Sequence, residues 1–319
     1  MDFVFGTTQT PHESIRSVCD MALAAARVTP TGRPGSPRRH EISQVRSTPR
    51  GGGTARKEIL DLIADEAPII IANTTMLAQG VADCLEMAAL RPEHSLNVPA
   101  ASTILRSEIE VAAQLAWMLD DQVDAHERCR RYLRWRFHDL SQQRKTFDTF
   151  QGGSSIDADR RNGDLDKREE DLGYLVRRAG WHLRPSSIDS KGRREPAALL
   201  KVGSEGSPHP RPDGMIKISA MVPHVVSSPS FYPLISAAAH GARWAQFHGV
   251  EAKSEPDAHG MVQAHVPGFG LPVSLLIMNA CLGVLHPARL FAGWHGDDTS
   301  RLHDLVRRIF DKAKNAEVQ

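Results

Sequence analysis

Cysteine, lysine and tyrosine are all scarce in this chain. The four cysteines, Cys19, Cys84, Cys129 and Cys281, stand far apart with no Cys-x-x-Cys pair. That spacing argues against a disulfide framework and fits free thiols in a reducing compartment, at core or neutral positions. The sequence has no Gly-x-x-x-x-Gly-Lys-Ser/Thr, no Gly-x-Gly-x-x-Gly between strand and helix, no His-Glu-x-x-His and no Gly-x-Ser-x-Gly. Phosphate-loop, dinucleotide, zincin and α/β-hydrolase chemistry thereby lose their signatures. The opening residues lack the basic-then-apolar order of a signal peptide, and the longest largely apolar run, Pro272 to Leu285, is shorter than the roughly 20 residues of a membrane span. A cytoplasmic protein without a membrane partner is the expectation.

Net charge is equally uninformative about partners. Thirty-nine Lys plus Arg face 38 Asp plus Glu, so no global field draws the chain to nucleic acid or to an anionic membrane. Subtracting nine lysines from 39 leaves 30 arginines, and arginine is the better fork for phosphate. With 41% hydrophobic and 24% charged residues in 319, the composition is that of a globular protein able to bury a core.

Few segments alternate with period two and no long repeat is visible, so the fold class is read as all-α: a multi-helix bundle with long irregular connections. Residues 1–26 hold an N-terminal helical segment, with Ile15, Val18, Met21 and Leu23 inward. Residues 27–53, rich in Pro, Gly, Ser and Arg, read as a disordered basic linker. Residues 54–319 read as the helical bundle domain. Within it, Pro68 is expected to interrupt or restart the first helix. The stretch ASTILRSEIEVAAQLAWMLDD has the broad apolar face of a central helix, and residues 124–147 make a helix carrying Arg128, Arg130, Arg131, Arg134 and Arg136. QGGSSIDADRRNGD reads as a loop, and residues 181–211 and 250–270 as irregular. The cleanest amphipathic pattern is terminal: Leu302, Leu305, Val306, Ile309 and Phe310.

Fifteen histidines invite a metal reading. His138-Asp139 and His303-Asp304 are pairs that chance supplies, however, and His295, Asp297 and Asp298 suit a turn followed by a helix N-cap. No metal and no cofactor is expected.

Three constellations stand out. Arg106, Glu110 and Gln114 form a polar stripe on the central helix, either a solvated side or a buried, paired network. Arg131 and His138 lie seven apart, on one side of the basic helix. Arginine to bind a phosphate and histidine to move a proton would suit RNA cleavage, in which the 2′-hydroxyl attacks its own phosphate; the bland alternative is a charged outer face. Ser236, His240 and Trp244 recur every fourth residue on a small-residue helix, where His240 is expected to be buried and neutral.

LRSEIEVAAQLAWMLDD, RCRRYLRWR and FYPLISAAAHGARW together resemble a group of uncharacterised bacterial helical proteins that is similar to the HEPN-like superfamily. The resemblance covers residues 60–148 and 205–250. Some members of that superfamily are RNA-cleaving toxins or defence ribonucleases with an arginine and a histidine separated by four to six residues. It implies Arg131 and His138 as the catalytic pair, six residues between them, with Tyr132 where active members usually carry a small polar residue. The resulting expectation is a protein that binds RNA or nucleotide phosphate and cleaves RNA without metal. The alternative is a non-catalytic interaction or regulatory protein in which Arg106, Glu110 and His240 hold the bundle together. A homodimer built through helices suits either.

Overall fold

Thr10 opens the first helix. Its hydroxyl accepts from the Glu13 N–H at 3.4 Å while the Glu13 carboxylate accepts from the Thr10 N–H at 2.7 Å, a reciprocal capping box in front of Pro11. This computed structural model describes residues 10–27, 31–47, 52–90, 98–149, 155–188, 194–195, 197–201, 211–214, 217–226, 231–240, 251–252, 264–265 and 271–317. The helices are α1 (Pro11–Ala26), α2 (Pro37–Arg46), α3 (Gly53–Leu90), α4 (Val98–Leu119), α5 (Ala125–Thr149), α6 (Ser155–Arg178), α7 (Ile218–Met221), α8 (Phe231–Ala239), α9 (Leu271–Trp294) and α10 (Ser300–Glu317). Among the described residues strand is limited to short pairs, so the class is all-α. The chain divides into two compact units, one of Met1–Ser36, Glu66–Leu119 and Ile218–Gln319, the other of Pro37–Asp65 and Asp120–Lys217.

The first unit is organised by α9, which packs against α1, α4 and α10. An α-helix apolar on every side has to be covered on every side, and the described stretch of α9 from Leu275 to Leu285 is buried throughout. By length and composition this helix could cross a membrane, yet it is 89% buried inside the protein. It runs through Pro287 without ending. The lost backbone bond and the crowding of a helical proline are outweighed by burial of Val284, Leu285, Ala288 and Phe291 around it. The α10 face is as the sequence pattern implies, with Leu302, Leu305, Val306 and Ile309 buried. Asp298 starts that helix by accepting from the Ser300 N–H at 2.9 Å, which lowers its carboxyl below the usual range.

The second unit contains most of the departures from sequence expectation. The supposed linker includes an ordered helix, α2, whose Arg38 and Glu41 are buried. Arg38 bonds Asp61 at 2.7 Å, and Glu41 accepts from Arg128 at 3.1 and 3.2 Å. Charges taken for a solvated block are thus paired inside. The glycines that follow are close contacts: a Cβ at Gly52 would stand 2.6 Å from the Ala179 carbonyl oxygen, and one at Gly53 2.5 Å from that of Val45. The remainder of the segment, residues 28–30 and 48–51, lies outside the described residues. Within the first unit, residues 31–36 make a turn whose Arg33 N–H donates to the His295 carbonyl at 2.8 Å, with Gly32 and Gly35 at positive φ.

Two further expectations fail. Helix α3 passes through Pro68 as one element, Gly53–Leu90, with Ala67 and Ile71 buried on either side. Helix α6 begins at Ser155, inside the stretch read as loop. Ser, Asp, Asn and Gly permit helix when one end is anchored, and Leu165, Leu172, Leu175 and Val176 anchor this one. It ends at Gly180, φ 79°, where Trp181 N–H donates to the Val176 carbonyl and Gly180 N–H to that of Arg177. The irregular region beyond contains a hairpin in a single register: Leu183 opposite Leu199, Arg184 opposite Ala198, Ser187 opposite Glu195 and Ile188 opposite Arg194.

Removing Glu41 leaves the Arg128 guanidinium, of which 3% is exposed, with the Asp120 carbonyl but without this carboxylate. Glu41→Ala is expected to cost roughly 3–5 kcal/mol in urea unfolding, with much of that recovered in the Glu41→Leu, Arg128→Met double variant.

Candidate functional site

Helices α4 and α8 bring together four polar side chains that are far apart in sequence. Arg106 and Glu110 are one turn apart on α4, and Arg106 Nε donates to Glu110 Oε1 at 2.8 Å. Tyr232, in the first turn of α8, donates its hydroxyl to the same carboxylate oxygen at 2.6 Å. His240, just past the C-terminus of α8, accepts from Arg106 Nη1 through Nε2. A guanidinium only donates, so in this contact Nε2 stands as the acceptor.

The cluster is a surface feature, not a buried network. The side chains of Arg106 and Glu110 retain 27% and 31% exposure, and His240 is exposed. His240 was expected to be buried among Ala239 and Gly241. It ends up at the surface because α8 stops at Ala239 and the histidine follows in a turn, its N–H still bonded to the Ser236 carbonyl at 3.1 Å. Ser236 is half-buried, one turn from Tyr232. Trp244 lies outside the described residues. Half-burial and the Glu110 carboxylate push the Tyr232 hydroxyl above its ordinary pKa, and Glu110 stabilises the Arg106 cation. Chemically, the cluster combines a tethered cation, an imidazole whose Nε2 faces it, a carboxylate, and a phenol held protonated.

Arg131 and His138 occupy one side of α5, about 10.5 Å apart along its axis. Arg131 is clasped by Asp120 and Glu127, each at 3.2 Å, and its side chain is 14% exposed. This makes it a clamp between the start of α5 and the turn before it. His138 is exposed; the protein mass around the imidazole and then Lys145 hold its pKa below the ordinary value, with Asp139 opposing them. Neighbouring arginines are similarly engaged. Arg134 bonds Asp213 at 3.0 Å and also Glu127, while Arg130 bonds Asp213 and donates to the Leu200 carbonyl at 2.8 Å.

The residue that sequence reasoning missed is Glu108. It is fully buried on the core face of α4, and among the described residues neither carboxyl oxygen has a hydrogen-bond partner. Its position was legible, since Ala101, Leu105, Glu108, Ala112 and Leu115 form one apolar stripe that a lone acid interrupts. Burial keeps the carboxyl protonated far above the usual carboxylate range. The group fits because α9 has Gly283 opposite: a Cβ there would stand 2.4 Å from Glu108 Oε1. Cys19 and Cys281 lie in the same core, and burial pushes the Cys19 thiol up to about 12 and that of Cys281 higher still. Among the described residues no group of three or more His, Cys, Asp or Glu is disposed to hold a metal ion.

Comparison with protein-family models, with curated proteins and with solved structures finds no match.

Glu108 makes stability depend on pH with a definite sign. The unfolded chain ionises this acid near its ordinary value, whereas the folded chain keeps the proton. Its effect is therefore most favourable below about pH 4.5 and is lost as pH rises toward the elevated folded value, by up to about 1.4 kcal/mol per pH unit. Glu108→Met is expected to stabilise the protein by roughly 1–3 kcal/mol at pH 7, and by more at pH 8 than at pH 5, in urea titrations at each pH. Gly283→Ala is expected to destabilise wild type, and to do so much less in a Glu108→Ala background, which a double-mutant cycle measures.

Proposed function

We propose that this is a HEPN-like cytoplasmic protein that binds RNA or a nucleotide phosphate and cleaves RNA without a metal, at the Arg106–Glu110–Tyr232–His240 cluster. The supporting observation is the Arg106 to His240 contact, which joins a guanidinium whose side chain is 27% exposed to the Nε2 nitrogen of an imidazole. A phosphodiester drawing Arg106 onto its non-bridging oxygens would free His240 Nε2 to take the proton of the ribose 2′-hydroxyl. The 2′-oxygen then bonds to phosphorus as the bond to the 5′-oxygen breaks. Tyr232, protonated at neutral pH, is placed one hydrogen bond from Glu110 and can give its proton to the departing oxygen. The products are a 2′,3′-cyclic phosphate and a 5′-hydroxyl. Four free thiols suit a reducing cytoplasm.

The Arg131–His138 pair receives less support, because Arg131 is held by two carboxylates of its own unit. The same observation favours the second reading, a non-catalytic interaction protein in which the α5 arginines serve the fold.

Mixed RNA incubated with chelator and purified protein is expected to yield cyclic-phosphate ends, with His240→Ala and Arg106→Ala lowering the rate at least 100-fold and His138→Ala leaving it within a few-fold. No cleavage by wild type, or equal cleavage by all variants, refutes the ribonuclease reading. Loss confined to His138→Ala moves the chemistry to α5.

A further inference from the structure

Helix α3 is apolar on the side that faces away from its own unit as well as on the side that faces in. Inward, Ile71, Ala78 and Leu85 are buried. Outward, Ile69, Met76, Met87 and Leu90 are 62%, 67%, 50% and 70% exposed. Isolated exposed apolar residues need no explanation, but these four are in register. Together with Asn73, Gly80 and Asp83 they fall at spacings of 4, 3, 4, 3, 4 and 3, the seam of a two-helix coiled coil, over about 32 Å of helix.

The geometry points to a second copy of this chain as the occupant, crossing antiparallel at Ala78. In that register Ile69 meets Met87 of the other copy, Met76 meets Gly80, and Asn73 meets Asp83. These three contacts are complementary, and the same register sets Leu90 against Glu66. A Cβ at Gly80 would lie 3.4 Å from Ile104 of α4, so the glycine adds no bulk to the seam, and an unbranched methionine packs readily against the bare backbone there. Charge selects the orientation. Asp83 is the one charged residue in the seam and is held by Arg16 at 2.8 Å, with its side chain 66% exposed. Antiparallel crossing sets it against the neutral amide of Asn73, which can donate to it. A parallel pairing would set Asp83 against Asp83, and Gly80 against Gly80 with nothing between them. A polar pair such as Asn73 and Asp83 in a seam that is apolar at four of its seven positions is the kind of device that fixes register in two-stranded assemblies.

This association is independent of any activity toward RNA. It is tested by sedimentation equilibrium of the full chain from about 1 to 100 µM. Wild type is expected to be dimeric, and Met76→Glu to weaken the dimer at least tenfold. Asn73 is exposed, so its replacements leave the fold intact and decide the matter if Met76→Glu fails to fold. Asn73→Lys, facing Asp83 of the other copy, is expected to tighten the dimer, and Asn73→Asp to weaken it. A wild-type monomer at 100 µM overturns the inference, whether the face is bare or covered by the chain itself. So does a Met76→Glu dimer of unchanged affinity, or weakening by both Asn73 variants, the result a parallel seam would give.

Discussion

The second unit depends on one electrostatic constraint: the arginines of α5 have to be neutralised from within. Arg128, Arg130, Arg131, Arg134 and Arg144 come from one helix and are largely withdrawn from water. A buried guanidinium without a partner costs several kcal/mol, so each has recruited a carboxylate from another segment or from its own helix. Glu41 is supplied by α2, Asp120 by the turn before α5, Asp213 by the chain beyond the hairpin, and Asp166 and Glu169 by α6. The positions of these segments follow from that demand. Trp181 adds to it, with the guanidinium groups of Arg56 and Arg130 stacked 5.1 and 5.7 Å from its ring.

The first unit rests on a different principle, apolar enclosure of α9. One anomaly is instructive. A protonated acid at Glu108 occupies the space that Gly283 vacates, so α4 and α9 meet there around a group that weakens the core. The carboxyl at 108 and the cluster residues at 106 and 110 lie within about one turn of α4, one facing the core and the others the surface.

Helical class, the central position of α4 and the α10 face were readable because apolar periodicity is a local signal. The meeting of Arg106 with His240 was readable only as a question, since 134 residues separate them. Tyr232, which completes that cluster, stood in the FYPLISAAAHGARW stretch of the resemblance without being singled out as a site residue, as a tyrosine in the first turn of an apolar helix is ordinary. Composition misled at residues 37–46, where arginine and glutamate signify solvent by frequency but were matched to Asp61 and Arg128 by tertiary contacts. Proline misled at 68 for a related reason: local propensity sets a cost that flanking burial exceeds.

The chain alternates between its two units, and this has a consequence for synthesis. The last segment of the second unit ends at Lys217, while α9, around which the first is built, starts only at Leu271. At roughly 5–20 residues per second, about ten to thirty seconds pass between translation of Leu119 and arrival of the helix that covers α1 and α4. During that interval the nascent chain can finish its arginine-bonded part while the oily faces of its earliest helices wait, exposed, for a partner still inside the ribosome.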